Sequence, residues 1–491
     1  MKTVGVIGSG ISSLSAAAIV AKAGYKVNVF EKNEQLGGRM RQFTESGFTF
    51  DMGPSWYWMP DVFEKFFNNF NYTTSDLYHL VTLDPGFQVI YKNSESIKIP
   101  YSWDKLLDLF ESIETGAADN LKKFMSGAEY KYMVGINNLV YKPGLSLREL
   151  ITPETIKGFF KLQLFSSFSH HVRKYFKDER LISLMEFPIL FLGAMPKDTP
   201  ALYSLMNYSG LKQGTFYPMG GFKKVIDGVV KIATENGVEF FPSEPVTSIN
   251  YDDNLIKIQT EKRHLKVDGL IAGADYNHVE TKLLPTQFRN YKNEYWESRT
   301  FAPSCLLFYL GVNKKINNLE HHNLFFDEDF DMHSNEIYTD PKWPSKPLFY
   351  VCCPSKTDSS VAPEGKENLF ILMPIAAGLE DSGEARFEYF EKLMQRLEKF
   401  TQTDIRNNIE FQKSYCVSDF EKDYNSYKGN AYGLANILAQ TANLKPKIKN
   451  KHINNFYYTG QLTVPGPGVP PAIISGQVAA NELIKKFRAQ L

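Results

Sequence analysis

"TVGVIGSGISSLSAAAIVAKAGYKVNVFEK", Thr3–Lys32, is the stretch on which the reading of the whole chain turns. Thr3–Ile7 is a short β-branched run that reads as a strand, and "GSGISS" leads from it into a helix rich in small residues. "YKVNVF" supplies a second strand, and Glu31 follows it, 23 residues beyond Gly8. Each part has a mechanical task. Gly8 permits the tight turn, Gly10 lets backbone N–H groups approach a pyrophosphate at the positive end of the helix, and a carboxylate about 20 residues on can accept hydrogen bonds from ribose hydroxyls. Ser13 stands where the pattern has its third glycine, a position that serves close packing of helix on strand. Lys2, the apolar run and Ala21-Lys22-Ala23 also imitate a secretory signal with its cleavage site, but strand, turn, helix, strand and acid explain the same residues better. The segment predicts a dinucleotide-binding unit.

The rest of the composition narrows the partners. The chain has 491 residues, 43% of them hydrophobic, enough for two packed domains. Its 55 basic and 55 acidic side chains balance, and no basic cluster of the kind a phosphate backbone needs is present, so no nucleic-acid partner is expected. Cys305, Cys352, Cys353 and Cys416 are too few and too unevenly spaced for a disulfide framework and suit a reducing cytoplasm. Cys352-Cys353, inside "PLFYVCCP", reads as a buried strand, and His170-His171 and His321-His322 lack a partner at metal-ligand spacing, so no metal is expected. The longest apolar run, Phe187–Met195, is far short of the roughly 20 residues that cross a bilayer.

Outward from Glu31, "LGGRM" offers a second close backbone approach and, in Arg39, a guanidinium fork for phosphate, while "FDMGPS" forms a rigid turn. "FKKVIDGVVKIATENG" reads as an amphipathic helix and "EPVTSI" as the end of a strand pair. Near the end of the chain, "YYTGQLTVPGPGVPPAIISGQVAA" sets four prolines in a stiff loop, with Pro470 and Pro471 at the first turn of a helix, where their missing N–H groups cost little. That helix would point its free N–H groups and positive dipole end at a bound ring and favour negative charge there.

These motifs, with "YPMGGF", "GADY" and "CCPSKTD", resemble the FAD-dependent carotenoid desaturases of the bacterial phytoene-desaturase type, over Val4 to about Leu483. The resemblance implies an α/β fold: a Rossmann-like FAD-binding domain of the amine-oxidase and phytoene-desaturase type, from residues 1–83, 215–301 and 430–491, with a discontinuous α+β substrate domain from 84–214 and 302–429. By resemblance, Gly8, Ser9, Gly10, Ile11 and Ser12 cradle the pyrophosphate, Glu31 with Lys32 serves the ribose, and Gly38 with Arg39 lies along the phosphates. Gly53, Pro54 and Ser55 border the flavin, Val246 flanks the adenine, Asp275 belongs to the cofactor site, and Gly460, Gln461, Gly468, Val469, Pro470 and Ile473 close it from the C-terminal side.

The implied substrate is an apolar carotenoid, with oxygen or a quinone reoxidising the flavin, and the place of work is the cytoplasm, in peripheral association with the inner face of the membrane. A subtype acting at C3–C4 of a hydroxylated carotenoid is the expectation from the terminal motif. Trp56, Tyr57, Trp58, Phe63, Phe66, Phe67 and Phe70 could line an apolar tunnel or simply fill the core, and Ile156–Phe176, with Lys161, Arg173 and Lys174, could lie on a membrane surface or be core. "SWDKLLDLFESI" reads as a helix capped by Ser102. No Ser/His/Asp group or pair of carboxylates stands out, so no catalytic residue is named. Three rivals share the motifs: flavin amine oxidases, carotenoid isomerases, and the GDP-dissociation-inhibitor relatives, which bind prenylated proteins without catalysis.

Overall fold

The nucleotide unit forms as its residues dictate. In the computed structural model, which describes residues 1–146, 149, 163, 166–191 and 193–490, strand β1 (Thr3–Ile7) runs through Gly8 into helix α1 (Ile11–Lys22), and strand β2 (Lys26–Phe30) returns beside it. Gly8 has φ +84°, a left-handed conformation open to glycine and strained for other residues. Strands β3 (Val238–Phe241), β4 (Gly269–Ala272) and β5 (Phe456–Tyr458) complete a five-stranded sheet in the order β5-β4-β1-β2-β3. Every pairing in it is parallel, so both faces need cover. α1, helix α2 (Lys223–Glu235) and the final helix α3 (Val469–Arg488) provide it on one side, and Val4, Val6, Leu14, Val27, Val29 and Ile474 are buried between them.

Small residues set how closely α1 approaches its neighbours. A Cβ on Gly476 of α3 would overlap Ser12 O and Ser15 Oγ of α1, so the two helices cross almost backbone to backbone. Ser13 solves the missing third glycine in the same way: its hydroxyl occupies the space that a Cβ on Gly273 would take. The glycine has moved from helix to strand end.

A second sheet, seven-stranded and mixed, runs in the order Ile409–Tyr415, Ser304–Val312, Glu367–Ile375, Phe349–Cys352, His322–Phe325, Phe87–Ile90, Ser96–Ile99. Only the pairing of His322–Phe325 with Phe87–Ile90 is parallel. Ser304–Val312 is buried along its whole length, which matches its continuous apolar run "SCLLFYLGV". The strands of the two large sheets interleave along the chain.

Trp103–Ile113 is the helix its pattern predicts, with Leu106 and Phe110 fully buried, but the Ser102 side chain makes no capping hydrogen bond. The four cysteines are buried and free. Among the described residues, no helix is long and apolar enough to cross a membrane. Residues 156–162, 164 and 165 of the Ile156–Phe176 stretch, which reads as a membrane-surface helix or core, lie outside the described residues; in its second half Phe168–Val172 is a short helix with Phe168 and Val172 buried.

Candidate active site

One cavity opens where the carboxyl ends of β1, β2 and β4 meet the N-termini of α1 and α3. Gly8, Ser9, Gly10, Ile11 and Ser12 line it, with Glu31, Lys32, Gly38, Arg39, Gly53, Pro54, Ser55, Val246 and Asp275. Gly460, Gln461, Gly468, Val469 and Pro470 close it from the far end of the chain. Ile473 is the exception among the residues expected there. It is fully buried and its carbonyl accepts from Ser15 Oγ at 3.1 Å, so it serves the packing of α3 on α1.

Glu31 lies at the carboxyl end of β2, where the strand delivers it beside the glycine turn. Its Oε2 accepts from Ser9 N–H at 2.8 Å and Ser9 Oγ at 2.7 Å, and its Oε1 accepts from Asn33 N–H at 2.9 Å and Asn33 Nδ2 at 3.0 Å. A carboxylate has about four acceptor sites, and all four are used. A ribose would therefore have to displace the two side-chain donors, Ser9 Oγ, which also accepts from Gly37 N–H at 3.2 Å, and Asn33 Nδ2, which also donates to Asp423 O at 3.2 Å.

Arg39 is anchored from the opposite wall. Its Nη2 donates to Ser426 Oγ and Asn430 O, each at 3.2 Å, while its plane lies over the Tyr424 ring at 4.8 Å. Burial lowers its pKa, opposed by Tyr424 and by Asp275. Arg39 Nε is a buried donor without a partner, and so is one oxygen of Asp275 as an acceptor. Burial raises the Asp275 carboxyl to about 6, opposed by the His278 N–H and by Arg39. Lys32 Nζ donates to Lys422 O and Asn425 Oδ1, and burial lowers its pKa despite Asp423 and Glu31.

The proline-rich loop delivers α3 to the cavity with fewer donors than its sequence promises. Pro470 and Pro471 have no N–H, and Ala472 N–H is spent on Gly468 O at 2.9 Å. The helix end thus acts mainly through its dipole. Gly460 N–H is fixed by Ser475 Oγ at 3.0 Å, which ties the strand exit to α3.

Beyond Ser55 the same cavity becomes apolar. Trp56, Trp58, Met59, Met206, Leu307, Phe370 and Leu372 line it, with Tyr350 and Tyr432. Of the aromatic run, only Trp56 and Trp58 reach this wall; Tyr57, Phe63, Phe66 and Phe67 are 0–1% exposed and belong to the core, with Phe70 at 8%. Leu307, Phe370 and Leu372 come from the seven-stranded sheet and carry no sequence signal, since a strand buried on both faces marks neither as special. Behind the wall, Ser55 Oγ lies 2.9 Å from Tyr350 OH, which lies 2.6 Å from His322 Nδ1, and Trp56 stacks on the His322 ring at 4.3 Å.

A nucleotide cradle continuous with an apolar chamber, on a parallel sheet with interleaved segments, defines a flavin-dependent oxidoreductase. The chain belongs to the family of flavin containing amine oxidoreductases, whose pattern it matches over residues 11–484. More particularly, it is 40% identical to the carotenoid 3,4-desaturase of Haloarcula japonica, over 98% of this chain and 97% of that protein. It is also 28% identical to the zeta-carotene-forming phytoene desaturase of Myxococcus xanthus, over 99% of this chain and 94% of the other. Among solved structures, cyclohexylamine oxidase from Brevibacterium oxydans aligns with TM-score 0.61 at 13% identity, over 99% of both chains, a likeness of fold.

The family's cofactor is FAD, and this cavity fits it. The orphaned Arg39 Nε suits a phosphate oxygen, the glycine turn leaves the space above Gly10 open to a Cβ or a ligand, and Glu31 and Val246 line the same cavity.

Proposed function

We propose that the chain is an FAD-dependent carotenoid desaturase that introduces a C=C bond into a polyene at C3–C4, with a hydroxylated end group on its substrate. The observation that carries this reading is the 40% identity to the carotenoid 3,4-desaturase along nearly the whole of both chains. The apolar chamber beyond Ser55 supports it, because a polyene has almost nothing polar to grip and must be held by shape and by apolar burial, worth about 25 cal/mol per Å².

In this reading Gly8–Ser12, Glu31, Lys32, Arg39, Gly53–Ser55, Val246, Asp275, Gly460, Gln461 and Gly468–Pro470 hold the cofactor. Bound FAD supplies a two-electron acceptor for the hydride that a C–C desaturation releases. Trp56, Trp58, Leu307, Phe370 and Leu372 hold the polyene in register and exclude water, which strengthens the field of α3's positive end within the site. Residues 1–83, 215–301 and 430–491 form the cofactor domain and 84–214 with 302–429 the substrate domain. The protein is cytoplasmic and works peripherally on the inner face of the membrane, drawing its substrate from lipid, and oxygen or a quinone takes the electrons onward.

Purified protein loaded with FAD and given a panel of carotenes and hydroxycarotenoids in liposomes, with oxygen or a quinone, tests this. Lengthened conjugation should red-shift the pigment spectrum, most with a hydroxylated substrate. Oxidation of amines alone, or a change of polyene geometry without longer conjugation, would overturn the reading.

A further inference from the structure

The sequence pairs His321 with His322 and offers no third ligand nearby, but the fold does. His322 opens a strand that lies antiparallel to Phe349–Cys352, with Cys352 directly opposite His322. Directly opposed residues of such a pair project from the same face, so the thiol is delivered to the imidazole by register, 30 residues away in sequence. One donor atom from each of His321, His322 and Cys352 lies within 4.8 Å of the other two.

The two rings are held as metal-binding histidines are held. His321 Nδ1 lies 2.8 Å from Thr357 Oγ1 and His322 Nδ1 lies 2.6 Å from Tyr350 OH, so each ring is oriented at Nδ1 by a hydroxyl. Both Nε2 atoms are then buried without a partner, on side chains of residues only 3% and 0% exposed. A buried imidazole nitrogen left bare is costly unless something meets it. Beside His321 and Cys352, though not lined by His322, is a small cavity of about 20 Å³ with Asp51, Tyr217 and Asn368 among its other lining residues, room for one water molecule or one ion.

We infer that His321, His322 and Cys352 form a zinc-class metal site, with two neutral imidazoles and one thiolate on a divalent d-block cation and Asp51 facing it across the cavity. Donors on tetrahedral zinc, at bond lengths of about 2.0–2.3 Å, stand about 3.3–3.8 Å apart, so the three need close by only about an ångström. Binding breaks the Cys352 S–H bond, forms the sulfur–metal bond and releases the proton to solvent. The thiolate and the Asp51 carboxylate together match the charge of a divalent ion. Because Trp56 stacks on His322 and Tyr350 reaches Ser55, the ion would pin the wall of the chamber to the seven-stranded sheet.

Zinc analysis of the purified full chain, followed by chelation and reloading with Co²⁺, tests the site. The expected result is one zinc per chain and, with Co²⁺, tetrahedral d–d bands plus a thiolate-to-cobalt band. The thiolate band should vanish in Cys352→Ser and persist in Cys353→Ser, whose sulfur packs in a separate core cluster and lies 3.5 Å from Ser355 Oγ. Wild-type protein that holds no zinc and shows no thiolate-to-cobalt band overturns the inference without reference to either variant. A band that survives Cys352→Ser overturns it as well.

Discussion

Glu280 shows how one buried acid writes pH dependence into the fold. It is fully buried, accepts from Tyr291 N–H at 2.9 Å and meets Tyr458 OH, and burial raises its carboxyl to about 7. An unfolded glutamate titrates near 4.3, so the native state binds this proton the more tightly. The stabilisation is present below that value and is lost as pH rises through about 7. Glu280→Gln removes the titration, so its melting temperature relative to wild type should rise between pH 5 and pH 8; a constant difference would show that the carboxyl is ionised throughout. At this scale the meeting of Gly8, Gly10 and Glu31 on one cavity wall was legible, because local chain geometry brings them together. The triad of His321, His322 and Cys352 was not legible, because only strand register brings the cysteine to the pair.

At the scale of elements, the crossing of α1 and α3 positions the site. Gly476 lets α3 lie against the first turns of α1, and those two helix ends both reach the cavity. Gly476→Ala should push the helices apart at a cost of about 1–3 kcal/mol, the range of an overpacked contact, and loosen FAD binding with it. Thermal melts with and without FAD check this, and a variant as stable and as tightly loaded as wild type would refute the tight crossing. The sequence announced the proline loop and the helix after it but not the long-range approach of α1, whose Ser15 hydroxyl meets the carbonyl of the buried Ile473. The aromatic run divides for a similar reason: its order in sequence does not say which side of the wall each ring occupies, and only Trp56 and Trp58 face inward.

At the scale of the molecule, two sheets built from interleaved segments enclose one cavity whose polar half can hold a dinucleotide and whose apolar half can hold a hydrocarbon. The parallel sheet was legible from its strand and turn signals. The seven-stranded sheet was not, because Ser304–Val312 is apolar on both faces and its partners come from distant parts of the chain. FAD titration of the refolded or apo-protein, followed by flavin fluorescence in wild type and in Glu31→Ala, bears most directly on the whole account. One FAD per chain is expected, with affinity in Glu31→Ala weaker by roughly tenfold to a hundredfold, the loss of hydrogen bonds to a charged acceptor. A chain that takes up no flavin at saturating FAD, or holds it equally well without the Glu31 carboxylate, would contradict the account.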